Sequence, residues 1–267
     1  MLSGAQVFVV VPALDEAKRI GAVLHGMPAE VDHVIVVDDG SRDDTADVAR
    51  RFGDPRVQVL SHPSRRGVGA AIVSGYRHAL GFAGGPRDAI VVMAGDGQMD
   101  PADLPRLVEP IVSGSKSVGY VKGNRFAWPG VARVMPTARY LGGQVFSSLT
   151  TVAVGAPVHD SQCGYTALAR WACDVLPLDE LWPGYGYPND LLAMLARAEI
   201  PFAEVPVRPV FAGEESKLRP WHVATIGWLV GRAMSRRFVQ HLGMARGKAP
   251  YYSADSRRRN SAEPASE

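Results

Sequence analysis

Cysteine is scarce in this chain: Cys163 and Cys173 are the only two among 267 residues. They cannot build a disulfide framework, and their spacing fits no common zinc pattern. Both read as reduced, partly buried thiols of a cytosolic protein. Charge of one sign is scarce as well. Lys plus Arg number 29 and Asp plus Glu 27, a net of +2, so no nucleic-acid partner is expected. That small excess sits in residues 246–267, which leaves 1–245 neutral. Long apolar runs are missing too. No stretch approaches the ~18 residues of a spanning helix, and no basic region precedes the short run Val7 to Val11. The expectation is a protein with no membrane crossing of its own. A hydrophobic share of 46% against 21% charged residues excludes disorder as a global description.

What is present is a rhythm of strands and helices. Val7 to Val11 is a continuous β-branched run, the mark of a strand buried on both faces. Asp15 to Met27 has helical spacing, Val34 to Val37 reads as strand, Asp44 to Phe52 as helix and Val57 to Leu60 as strand. Gly69 to Leu80 then reads as helix and Ala89 to Met93 as another buried strand. Such alternation predicts an α/β fold with a mostly parallel, doubly wound sheet and helices on both faces. Beyond Gly95 we expect helices over Pro101–Ser113, Thr137–Val154, Pro188–Ala198 and Trp221–Met244, with Asp100 capping the first. Strands are expected over Val118–Phe126 and, at a sheet edge because of Pro206 and Pro209, over Phe202–Phe211. One domain over 1–245 and a disordered tail over 246–267 complete the expectation.

Ligands bind at the carboxyl ends of parallel strands, where loop amides and helix N-termini converge. Three acid-bearing loops fall there: Pro12-Ala13-Leu14-Asp15-Glu16, Asp38-Asp39-Gly40-Ser41 and Gly95-Asp96-Gly97-Gln98. Singly, each is equally a turn or a helix cap. Together on one rim they suit a divalent cation bridging phosphate oxygens, hence a nucleotide-diphosphate donor. Arg65 to Ala70 adds a glycine-rich turn before a helix. It lacks the dinucleotide fingerprint and the acidic residue about 20 positions on that would hold a ribose.

Val36 to Thr45 (VVDDGSRDDT), Pro12 to Glu16, Arg66 to Ala71 and Asp96 to Pro101 (DGQMDP) resemble family 2 of the glycosyltransferases, with its GT-A fold. Gly123 to Phe126, Asp160 to Tyr165 and Glu215 to Lys217 are similar to its dolichyl- and polyprenyl-phosphate sugar synthases. The resemblance implies a nucleotide site at Pro12, Leu14, Glu16, Val37, Asp39, Ala94, Gly95 and Asp96. It implies a cation, Mg²⁺ or Mn²⁺, at Asp96 and Gln98. Ala94 stands where the family pattern has its first aspartate, so one carboxylate is missing. It further implies donor-phosphate contacts from Arg125 and Lys217, an acceptor-phosphate site at Arg133 and Arg139, and an acceptor-side role for Asp160. Asp190 lies near the position where other inverting members carry a base; it reads equally as favourable charge at a helix N-terminus.

Residues 216–249 hold seven basic side chains and no acidic one. The helix there has an apolar face and tryptophans at 221 and 228, as in helices lying on an anionic membrane surface; the same face can instead pack on the domain. The expectation is a metal-assisted, inverting glycosyltransferase. It would move a sugar from a nucleotide-diphosphate donor to a polyprenyl phosphate at the cytoplasmic membrane face. The alternatives are a soluble or glycan acceptor, and a nucleotide-sugar-binding pseudoenzyme.

Overall fold

The computed structural model describes residues 2–113, 118–210 and the helix 220–241, the side chains of 220–222 and 237–241 excepted. In chain order the first half contains β1 (Val7–Ala13), α1 (Ile20–His25), β2 (His33–Asp38), α2 (Thr45–Arg50), β3 (Val57–Ser61), α3 (Val68–Leu80), β4 (Ala89–Val92) and α4 (Leu104–Val112). The second half contains β5 (Tyr120–Asn124), α5 (Val131–Val134), α6 (Thr137–Val154), β6 (Thr166–Ala169), α7 (Arg170–Val175), α8 (Tyr187–Arg197), β7 (Phe202–Pro206) and α9 (Pro220–His241). The described strands make one seven-stranded sheet in the order β3-β2-β1-β4-β6-β5-β7.

β1 is central because its sequence leaves it no other place. Val7 to Val11 are all fully buried, and the strand pairs in parallel with β2 on one side and β4 on the other. From β1 the chain steps outward through β2 and β3, then crosses back to β4. The switch point therefore lies between β1 and β4, where a ligand crevice opens in such sheets. Beyond β4 one antiparallel strand enters the mostly parallel sheet. β6 runs antiparallel to both β4 and β5, and β7 closes the edge parallel to β5.

Several expectations shift in detail. The first helix starts at Ile20 rather than Asp15; Asp15 itself sits at φ 55°, with its carboxylate tied to the amide of Arg42. β7 ends at Pro206, which has no amide to continue the ladder. Asp100 caps the turn at Pro101 by accepting from Ala102 N at 3.0 Å. α6 spans Thr137–Val154 as expected despite Gly142-Gly143. Gly143 is needed there, since a Cβ would lie 2.5 Å from the Phe126 ring. β6 was not anticipated: Thr-Ala-Leu-Ala is too short and too poor in β-branched residues to read as strand. Met244, Phe211, Lys217 and the expected tail lie outside the described residues.

Candidate active site

Three loops meet at the carboxyl ends of β1, β2 and β4, and short polar side chains brace them against one another. Asp15 accepts from Arg42 N at 2.8 Å, Ser41 Oγ from Asp15 N at 3.0 Å, and Asp43 from Ala17 N at 3.1 Å. Thr45 Oγ1 accepts from Glu16 N at 2.8 Å. Gly95 N donates to Pro12 O at 3.1 Å, which joins the third loop to the first. A Cβ on Gly95 would come within 3.2 Å of both Ala13 and Ile20, so glycine permits this contact. Pro12, Val37, Gly95, Glu16 and Asp39 are buried, while Leu14, Ala94, Asp96 and Gln98 are partly exposed along the crevice. Glu16 Oε2 is 2.9 Å from Arg19.

Asp39 braces the glycine-rich turn. Its carboxylate accepts from Arg66 N at 2.9 Å and Gly67 N at 2.7 Å, and His62 Nδ1 lies 2.7 Å away. The turn is no phosphate cradle. Pro183 O receives the amides of Gly69 and Ala70, and Cβ atoms on Gly67 or Gly69 would strike the carbonyls of Pro183 or Trp182 at 2.4 and 2.1 Å. These glycines admit a neighbouring loop rather than a ligand.

In the loop after β4, Asp96 Oδ1 accepts from Gln98 N at 3.0 Å. Just past the end of β5, Arg125 donates to Asp160 from its backbone N, from Nε at 2.8 Å and from Nη2 at 2.8 Å. Asp160 has no solvent exposure. Burial opposes its charge, but Arg125 outweighs burial and holds the carboxyl below its usual range. The same pairing raises the Arg125 pKa against burial, so both groups stay charged. Arg139 is disfavoured as a cation by burial and by Arg125, and favoured by Asp96. Arg139 thus lies within electrostatic range of both Arg125 and Asp96. Arg133 is exposed on α5.

With this geometry in view, the comparisons are specific. The model of glycosyl transferase family 2 matches residues 8–164. The chain belongs to that family. A UDP-N-acetylglucosamine–dolichyl-phosphate N-acetylglucosaminyltransferase of Methanococcus voltae is 27% identical over 77% of this chain and 86% of its own length. An undecaprenyl-phosphate mannosyltransferase of Micrococcus luteus is 30% identical over 76% and 82%. Among solved structures, glucosyl-3-phosphoglycerate synthase from Mycobacterium tuberculosis in complex with UDP superposes with a TM-score of 0.60. It is 25% identical, over 87% of this chain and 81% of that one. Other structures of that synthase also hold Mn²⁺. The fold is GT-A, and the chain is a glycosyltransferase.

Two features of this family 2 site lay beyond the sequence reading. Lys122, in the middle of β5, is fully buried and donates to the carbonyl of Cys163. Burial lowers its pKa, while Cys163 and Asp160 pull the other way. The one signal in the sequence was a charge inside the apolar run Tyr120-Val121-Lys122. Glu204 of β7 gathers His159 N, Asp160 N and His159 Nδ1, which pins the turn that presents Asp160. The second feature concerns Asp190, which is buried. Trp182 N donates to its Oδ2 at 2.9 Å, and Arg232 of α9 pairs with its Oδ1. Arg232 also lies 5.0 Å from the Trp228 ring centroid, and Trp228 packs on Trp182.

Proposed function

We propose that this chain transfers a sugar from a nucleotide-diphosphate donor to a polyprenyl phosphate, inverting the anomeric carbon. One observation carries the reading: Arg139 lies within electrostatic range of both Asp96, in the carboxylate loop at the switch point, and Arg125. That arrangement suits two phosphate-bearing substrates meeting in one crevice. The names of the dolichyl- and undecaprenyl-phosphate relatives support the same acceptor.

The donor set fits a divalent cation, Mg²⁺ or Mn²⁺, that arrives with its diphosphate. Asp96 and Gln98 offer hard oxygen donors, and Ala94 offers none. Among the described residues no group of three His, Cys, Asp or Glu forms a cage. A hard cation satisfied largely by phosphate and water oxygens needs only one or two carboxylates. When bound, it neutralises the diphosphate and eases its departure.

In this reading Pro12, Leu14, Glu16, Val37, Asp39, Ala94 and Gly95 hold the nucleotide, and Arg125 orients the donor phosphates with Lys217. Arg133 and Arg139 hold the acceptor phosphate. An acceptor oxygen attacks the anomeric carbon, and the bond to the diphosphate breaks with its electron pair leaving on the diphosphate. A phosphate monoester is already ionised near neutral pH, so no base need remove a proton. Engagement of Asp190 by Arg232 agrees with that: the carboxylate a hydroxyl acceptor would require is already committed. Peripheral contact of α9 with the cytoplasmic membrane face belongs to the same reading, as does a single domain over 1–245. A second reading, a soluble phosphorylated acceptor, is favoured by the likeness to glucosyl-3-phosphoglycerate synthase.

The test is a panel of nucleotide sugars with Mg²⁺ or Mn²⁺ and polyprenyl phosphate in detergent, with Asp96→Asn alongside. Lipid-linked sugar from the wild type, reduced by about 10²-fold or more in the variant, is the expected result. Donor binding without lipid product, together with transfer to a soluble phosphate ester, overturns the polyprenyl reading.

A further inference from the structure

α6 is built inside out. Its inward face is small and hydroxylic: Gly143 meets Phe126, Ser147 accepts from Ser161 N at 3.0 Å, and Thr150 accepts from Asn189 at 2.8 Å. Its outward face is Leu141, Val145, Leu149 and Val152, between 43% and 59% exposed. These four recur at the spacing of one helical stripe. An ordinary surface helix of a water-soluble domain has the opposite polarity. Eight of the ten large hydrophobic side chains exposed among the described residues lie on α5, α6 and α9. α9 packs alongside α6 through Ile226, Val230 and Ala153, and adds exposed Val223 and Met234.

The helices that carry this surface have charge of one sign, and exposed Glu199 lies by the C-terminal end of α6. No Asp or Glu occurs from 110 to 159 or from 216 to 254, whereas Arg133 and Arg236 are exposed beside it. A second copy of this chain would bring the same cations against themselves. An anionic lipid surface complements both the apolar stripe and its arginines. The same helix also reaches the site, because Arg139 in the first turn of α6 is within electrostatic range of Asp96 and Arg125.

We infer that the outward face of α6, flanked by α9, is the surface through which this protein docks on an anionic phospholipid bilayer. The inference deepens the lipid-acceptor reading, to which α9 alone contributed a membrane contact. Docking on α6 sets the opening at Arg133 and Arg139 against the lipid headgroups, where the phosphate of a prenyl chain resides.

The full chain is sedimented with phosphatidylcholine vesicles containing phosphatidylglycerol, with no prenyl phosphate or donor present. Wild type is expected to partition onto them, more weakly at high salt. Val145→Glu with Val152→Glu is expected to lower the partition by about tenfold or more, while Val175→Glu, an exposed position on α7, leaves it unchanged. Val145→Ser with Val152→Ser removes the apolar stripe without adding charge and serves if the glutamates impair folding; it is expected to weaken binding in the same direction. Equal binding by wild type and both double variants overturns the proposal. So does a wild-type dimer that the variants dissociate while no form binds vesicles. Turnover on a short, water-soluble prenyl phosphate separates the two readings. Vesicle binding lost in the variants with turnover kept supports the surface. Vesicle binding through α6 with no turnover of any prenyl phosphate sinks the acceptor reading and leaves the surface standing.

Discussion

The two halves of the crevice are held in place by different means. On the donor side, residues 7–113, the loops are stitched mainly by bonds from short side chains to backbone amides, such as Asp15 to Arg42 N and Asp39 to Arg66 N and Gly67 N. Each loop sits on a parallel strand whose position follows from burial alone. On the acceptor side, residues 120–241, β6 runs antiparallel and position comes from charged groups, each pairing having at least one buried or nearly buried partner. Arg125 with Asp160, Lys122 with Cys163 O, Glu204 with His159 and Asp190 with Arg232 span β5, β7, the turn at 159–163, α8 and α9. A backbone-stitched site tolerates losing any one bond. The acceptor side's most buried ion pair, Arg125 with Asp160, does not, because removing either partner leaves the other charge uncompensated.

That contrast is broken most sharply at Asp160. Asp160→Asn keeps the shape but leaves Arg125 without its counter-charge, at an expected cost of about 3–5 kcal/mol. Chemical denaturation measures it. Transfer should also fall by roughly 10²-fold, as the guanidinium loses its orientation. The acid limb supplies a second readout. The folded Asp160 carboxyl is depressed below its unfolded value of about 3.9. Its contribution is therefore complete above that value and disappears as pH falls through the folded one. The variant should lose that portion of the acid dependence. An unchanged acid limb would show that the pair contributes no linkage.

Asp39 probes the backbone-stitched side and should cost less. In Asp39→Asn an amide N–H must face the N–H of either Arg66 or Gly67, replacing one bond with a donor–donor contact. About 1–3 kcal/mol is expected, with weaker donor binding as the 65–69 turn relaxes. Calorimetric titration with a nucleoside diphosphate reads the binding. A stability loss equal to that of Asp160→Asn would erase the distinction between the two sides.

The same contrast decides what could be read from sequence. The donor side was legible because its chemistry is local: VDDGS and DGQMDP carry carboxylates beside the backbone they organise, and Val7 to Val11 can only be a central strand. The acceptor side depends on pairs separated by 35, 41, 42 and 45 positions, which no local pattern announces. Arg125 and Asp160 were singled out separately and by resemblance, whereas their bidentate pairing emerged only in three dimensions. Lys122 and Glu204 looked like ordinary strand residues. The inverted polarity of α6 was hidden for a related reason. Its periodicity gives a helix, but which stripe faces inward depends on Phe126, Ser161 and Asn189, all distant in the chain.

The smallest expected effect belongs to Asp190, and it tests the acceptor chemistry directly. Asp190→Asn keeps an oxygen for Trp182 N and leaves Arg232, about a quarter exposed, to find water. A stability loss of roughly 1 kcal/mol is expected, and a double-mutant cycle with Arg232→Gln isolates the pair. If the acceptor is a phosphate, turnover should stay within about threefold of wild type across neutral pH, since no proton awaits removal. A general base contributes about 10²–10⁴-fold. A fall of that size, with a pH–rate limb lost in the variant, would make Asp190 the base and point to a hydroxyl acceptor. Arg232 would then have to leave Asp190 when substrate binds, and α9 would join the catalytic cycle instead of resting on its edge.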